Sequence, residues 1–239
     1  TDMVEDVARK TAEVYNTCDF DMIYLDALDG SYFCSAIGTD HNYIAARFVW
    51  ELNRNLKKPA VMEMSTFAAP LWGVRSRIGA WDSALKASKS HYDTHARANA
   101  EQECYLLPTH MGWWSIGELN REMDGMQPES IYLDHVEHLC TRALAYDASL
   151  SYLMGFNIAN YKRLEHTRRI CAVVKQYEEL RLAHYFSLST REVLKQPGRE
   201  FTLQQSPGEE WRFSPVQYDK HVVHQNNSHT HGWVVENPY

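Results

Sequence analysis

Three acids next to apolar runs are the residues best placed to do chemistry. Asp26 and Asp29 stand three positions apart in DMIYLDALDG, Asp21 to Gly30, where an apolar run gives way to glycine. Glu63 lies inside the apolar stretch AVMEMST, between Met62 and Met64. An acid that closes an apolar strand is either solvated in a cleft or paired, because an isolated buried carboxylate is too costly. If Met22, Tyr24 and Asp26 share one strand face, Asp26 is carried to the C-terminal end and Asp29 sits on the loop above it. Asp29 with Gly30 also reads as plain turn chemistry. Glu63 is a candidate general acid; its structural alternative is an ion pair with Arg75 or Arg77. Two carboxylates on neighbouring strand ends are what glycoside hydrolysis requires. One protonates the leaving oxygen and the other attacks or activates water.

The next stretches add residues suited to gripping a sugar. LWGVRSRIGAWD offers Trp72, Arg75, Arg77 and Trp81 in one glycine-spaced loop, and LLPTHMGWWSI offers His110, Trp113 and Trp114 after an expected third strand. Aromatic faces stack on the C–H faces of pyranose rings, and arginine forks grip a uronate carboxylate or a sulfate. Tyr24 belongs with these by its place beside Asp26. For tryptophan the competing reading is core packing.

Metal and nucleophile chemistry have weaker support. His221, His224, His229 and His231 lie close together in KHVVHQNNSHTH, but with no acid at a ligand-like spacing. His91 and His95 stand at i, i+4 in HYDTH, with Asp93 where H-E-x-x-H has glutamate. DHVEHL, Asp134 to Leu139, reads as a helix surface. No G-x-S-x-G occurs and no cysteine has a recognisable setting. No metal and no cofactor are therefore expected.

These candidates must be positioned by a repeating pattern. A helical stretch over residues 3–16 leads to the apolar run Met22–Leu25. A loop, the helical NYIAARFVWELNRNLKK and the strand-like PAVMEMST follow; after a Trp-rich loop come helical SHYDTHARANAEQ and strand-like CYLLPTH. Helical ESIYLDHVEHLCTRALAY then precedes strand-like ASLSYLMGF. Short apolar strands alternating with helices predict a parallel sheet covered by helices. No G-x-G-x-x-G or G-x-x-x-x-G-K-[ST] follows a strand, which disfavours nucleotide binding. The expected fold is α/β, a (β/α)8-type barrel represented by about four β/α units, whose strand-to-helix loops would build the site. Two further helices follow residue 160. Past Pro197-Gly198, REFTLQQ and EWRFSPVQYDKHVVHQ alternate with period two, predicting antiparallel hairpins. The expected division is a barrel domain over residues 1–196 and the start of an accessory β domain over 197–239.

The chain has 239 residues and a formal charge of −7, enough for one sizeable core and without a basic stripe for nucleic acid. No apolar run reaches the roughly 18 residues of a membrane span. The five cysteines form no C-x-x-C pair and read as buried thiols. The chain opens without methionine and reads as part of a longer protein, whose missing N-terminus could carry a signal for secretion.

MIYLDALDG, followed by further β/α units and then β structure, resembles the TIM-barrel glycoside hydrolases of the α-galactosidase-like kind, with the C-terminal half of the barrel and the start of a β-sandwich. The resemblance implies Asp26 as nucleophile. The family's acid belongs two strands later, where this chain has Thr109-His110, and Glu63 is the substitute. The expected function is a carbohydrate-active hydrolase cleaving a glycosidic bond. The alternatives are a polysaccharide lyase acting on a uronate, with His110 or Tyr24 abstracting the proton, and a non-catalytic carbohydrate-binding fragment.

Overall fold

The computed structural model describes residues 2–26, 28, 38–64, 69–76, 82–83, 89–101, 110–115, 132–153, 165–208, 210–218 and 234. Helix α1 (Met3–Cys18) starts where the Asp2 carboxylate accepts the Val4 N–H at 2.8 Å, and ends at Asp19 in the left-handed region. Its buried stripe is Ala8, Ala12 and Tyr15. Helix α2 (His41–Asn55), capped by Asp40, buries Ala45, Val49 and Leu52, and the small residues let the two helices pack closely.

Beneath them, β1 (Met22–Leu25) and β2 (Val61–Met64) run parallel, with Ile23 opposite Met62, Tyr24 opposite Glu63 and Leu25 opposite Met64. Leu25, Met62 and Met64 join Ala8, Val49, Leu52 and Leu71 in one core, with Ile23 packed against it. Strand alternation therefore sends Tyr24 and Glu63 to the face that α1 and α2 do not cover.

A 3-10 turn over Ala69–Val74 leads back along the other edge of β2. There the Ser76 N–H donates to Met62 O at 2.8 Å, and the Met62 N–H donates to Ser76 Oγ at 2.9 Å.

The second half repeats the alternation. The two-residue strand β3 (Asp82–Ser83), β4 (His110–Ser115) and β5 (Ser149–Leu153) form a parallel sheet in that order. Helices α3 (Lys89–Ala100), α4 (Leu133–Tyr146) and α5 (Glu165–Leu182) accompany it. Here the core gathers Tyr92, Met111, Trp114, Leu139, Ile170 and Tyr177. Short α6 (Leu188–Leu194) leads to the antiparallel hairpin of β6 (Phe201–Gln205) and β7 (Trp211–Pro215). The hairpin shares this core through Phe201, with Leu203, Trp211 and Phe213 packed against it.

The expected parallel β/α alternation and the antiparallel hairpin are both present, as a mixed α/β fold with six helices among the described residues. No closed barrel forms among the described residues. The strand expected over CYLLPTH differs: the described strand starts at His110 and runs through Trp113 and Trp114, while residues 102–109 lie outside the described residues. No helix among the described residues is long and apolar enough to cross a membrane.

Candidate functional site

The helix-distal face of β1 and β2 carries the strongest constellation. Tyr24 is directly opposite Glu63 in register, and Asp26 follows β1 on the same side. The Tyr24 hydroxyl lies 3.5 Å from Asp26 Oδ1, a long and weak contact. Asp26 is exposed, whereas Glu63 is only 1% exposed.

Arg75 is delivered by the 3-10 turn, whose last hydrogen bond runs from the Arg75 N–H to Leu71 O at 3.2 Å. Its side chain is 6% exposed, and Nη2 donates to Met64 O at 3.0 Å. Burial lowers the proton affinity of this guanidinium, and the negative field of Glu63 opposes that effect. Tyr24, Glu63 and Arg75 thus form a row across the strands: an aromatic phenol, a buried carboxylate and a buried cation.

The other expected site residues divide. Asp29, Arg77 and Trp81 lie outside the described residues. Trp72 sits in the 3-10 turn and Trp113 in β4, paired with Asp82 and Ser151, and their side chains are outside the description.

Trp114 is buried in the second core, edge-on to Tyr92 at 4.8 Å between centroids, with its indole N–H donating to Met111 O at 2.7 Å. That is a packing position with its one donor satisfied, not an open stacking platform. His110 is also buried. The Gly112 N–H donates to its Nδ1 at 3.0 Å, so the neutral ring carries its proton on Nε2, which donates to Ser151 Oγ at 3.0 Å. Both ring nitrogens are engaged by the protein, which leaves no lone pair for taking a substrate proton.

A second charged cluster escaped the sequence reading. Asp93 of HYDTH and His138 of DHVEHL, the second read as a helix surface, meet at 2.8 Å. Arg142 Nε also donates to Asp93, at 2.5 Å, and the Gly198 N–H donates at 2.9 Å. The remaining Arg142 donors reach the carbonyls of Leu194, Gln196 at 2.9 Å and Arg199 at 2.8 Å. Burial works against the Asp93 anion, but the bonds from His138, Arg142 and Gly198 outweigh it and hold the carboxyl well below its usual range.

His138 is 3% exposed, so DHVEHL is not wholly a helix surface. The reason is helical spacing: His138 and Arg142 stand four apart on the α4 face that meets α3. The i, i+4 polarity of α3 and α4 was the available signal, but nothing in it named the partner.

Beside this hub lies a cleft of about 280 Å³ lined by Lys89, Asp93, Arg97, His138 and Glu200. Its charges are largely spent on one another, since Lys89 donates to Asp134 at 2.7 Å and also to Glu200. Among the described residues, no three His, Cys, Asp or Glu side chains converge as metal ligands. No family model, no curated protein and no solved structure matches this chain.

Proposed function

We propose that the chain is the barrel-type catalytic part of a carbohydrate-active hydrolase, cleaving a glycosidic bond with Asp26 and Glu63 as its carboxylate pair. One observation carries the reading. The parallel register puts Tyr24 beside Glu63 and turns Asp26 to the same side, away from α1 and α2. In a β/α barrel that face lines the interior, and the C-terminal strand ends open on the substrate.

The environments of the two acids differ in a useful way. Asp26 stands in solvent at the strand end, and Glu63 is sealed beside Arg75. Glycoside hydrolysis needs two carboxyl groups with separate duties, and unlike surroundings are how proteins divide them. Tyr24, between the two, offers an aromatic edge and a hydroxyl to a sugar ring. The lyase reading is weaker, because His110 has both nitrogens committed.

The test is turnover by the full-length protein on a panel of aryl hexosides and hexuronides. Asp26→Asn and Glu63→Gln should each lower kcat by about 10²–10⁴-fold, the usual contribution of one positioned acid or base. Undiminished turnover in both variants would remove the two-carboxylate mechanism. Release of an unsaturated uronate would replace hydrolysis by elimination.

A further inference from the structure

Helix α2 turns two large aromatic side chains to solvent. Its buried stripe is Ala45, Val49 and Leu52, and on the opposite face Tyr43 and Trp50 are 60% and 57% exposed. One exposed ring is ordinary on a protein surface. Two in line on a rigid helix form a track. Seven residues carry a helix about 20° short of two turns, so these side chains leave it in line, about 10 Å apart along the axis. The ground between them is low. Ala46 offers only a methyl group, and the Arg47 guanidinium is drawn off toward α1, where it donates to Asp2 Oδ2 at 2.9 Å and to Glu5 Oε1 at 2.8 Å. Arg54, beyond Trp50, is likewise held by Glu51 at 3.0 Å. Both arginines of this face are thus matched by carboxylates. Asp40 fixes the start of the track, since its Oδ1 accepts the N–H of Asn42 at 2.8 Å and of Tyr43 at 3.4 Å.

Position gives the track a direction. Strands β1 and β2 are parallel, so α2 is the return leg between them and runs against both. Its first turn, with Tyr43, therefore stands at the strand end that carries Asp26, and Trp50 lies farther from that end along the outside.

We propose that Tyr43 and Trp50 form an outlying binding track for an extended, uncharged, β-linked pyranose polymer. This rests on the hydrolase reading and names its substrate class. In such a chain alternate rings present the same face at nearly the spacing of the two aromatic side chains, so both can stack at once on C–H faces. The intervening ring passes over the low floor that Ala46 and the diverted Arg47 leave. The matched charges leave no spare cation to select an acidic polymer. A protein partner fits less well, because two rings set among ion pairs are not the contiguous apolar patch that such an interface needs.

Affinity electrophoresis of the full-length protein, in gels cast with a polysaccharide, tests this. The probes are hydroxyethylcellulose and glucomannan as extended neutral chains, with polygalacturonate as the acidic control and soluble starch as the coiled one. At least one of the two extended neutral polymers should retard the wild type. Tyr43→Ala and Trp50→Ala should each raise the Kd obtained from that retardation by at least about 10-fold, the usual effect of truncating an aromatic anchor. Tyr43→Phe and Trp50→Phe should keep most of the binding, because the stacking face survives. Thermal melts of all four variants should be nearly unmoved, since both positions are exposed.

Retardation by neither extended neutral polymer, or equal retardation of the double alanine variant, would overturn the proposal. So would tighter binding of polygalacturonate or starch. Self-association seen in sedimentation and lost in Trp50→Ala would make this face a contact between copies and also overturn it. Binding is read without turnover, so the two readings fail separately. If Asp26→Asn and Glu63→Gln keep full turnover while Trp50→Ala loses the polymer, the hydrolase reading fails and the track stands. If both acid variants lose turnover while Trp50→Ala binds like the wild type, the track fails and the hydrolase reading stands.

Discussion

The two halves of the molecule each bury an acid beside an arginine, and they do so for different ends. Asp93 sits among helices and takes bonds from His138, Arg142 and the Gly198 N–H, three donors from two further elements. Arg142 continues into the carbonyls that end α6, so the hub fastens α3, α4 and the approach to β6 together. Glu63 projects instead from a strand, on the side the helices leave uncovered, with Tyr24 as its register partner and an exposed acid one residue past the next strand's end. A carboxylate saturated by its own fold is a fastener. One aimed at the uncovered strand face, next to a second acid, is what the proposed hydrolysis would use as a reagent. Burial and a nearby cation do not separate the two cases; the face does.

The sharpest way to break that contrast is to remove the Asp93 carboxylate. Asp93→Ala orphans three donors at once, two of them on residues no more than 3% exposed. Breaking a buried pair from one side costs about 3–5 kcal/mol, and this should appear as a loss of that order in urea unfolding. The protein that remains folded should turn over substrate as before. If turnover collapses while stability holds, the fastener and the reagent have been confused.

Acid titration sharpens the same contrast with a smaller effect. The folded protein holds the Asp93 carboxyl well below its usual range, while the unfolded chain titrates it near its ordinary value of about 4. A depressed folded value adds stability above the unfolded value, and that stability is lost as pH falls toward the folded one. The stability gap between the wild type and Asp93→Ala should therefore be constant above about pH 5 and narrow on going below about pH 4. A gap that stays flat down to pH 3 would mean that the hub does not hold an anion.

Much of this arrangement is legible in the residues, and the parts that are not share a cause. Met22–Leu25 and the strand around Glu63 are found because apolar residues and period two agree, and the helix-facing set of Ile23, Leu25, Met62 and Met64 follows from alternation. The stripes Ala8, Ala12, Tyr15 and Ala45, Val49, Leu52 are equally plain. The Asp93–His138 contact is not legible, since its members lie 45 residues apart on two helical segments and the one that holds His138 reads as a helix surface. The third strand is misread for a different reason. His110 and Trp113 belong to one strand with an irregular register between them, so the period-two signal fails there, and Trp114 lands in the core.

That irregularity supplies the smallest test. Gly112 lies at φ +86 between His110 and Trp113, a backbone region that side-chain-bearing residues enter at a cost of about 1–2 kcal/mol. Gly112→Ala keeps the N–H that fixes the His110 ring, so its penalty reports backbone strain and leaves the His110–Ser151 bond intact. The expected loss in urea unfolding is of that 1–2 kcal/mol order, below that of Asp93→Ala, with kcat and KM unmoved. The variant thus separates the half that holds the Asp93 hub from the half proposed to react. Should Gly112→Ala lower turnover as much as Glu63→Gln does, the kink in β4 would serve the chemistry, and the division drawn between the two halves would have to be redrawn through His110.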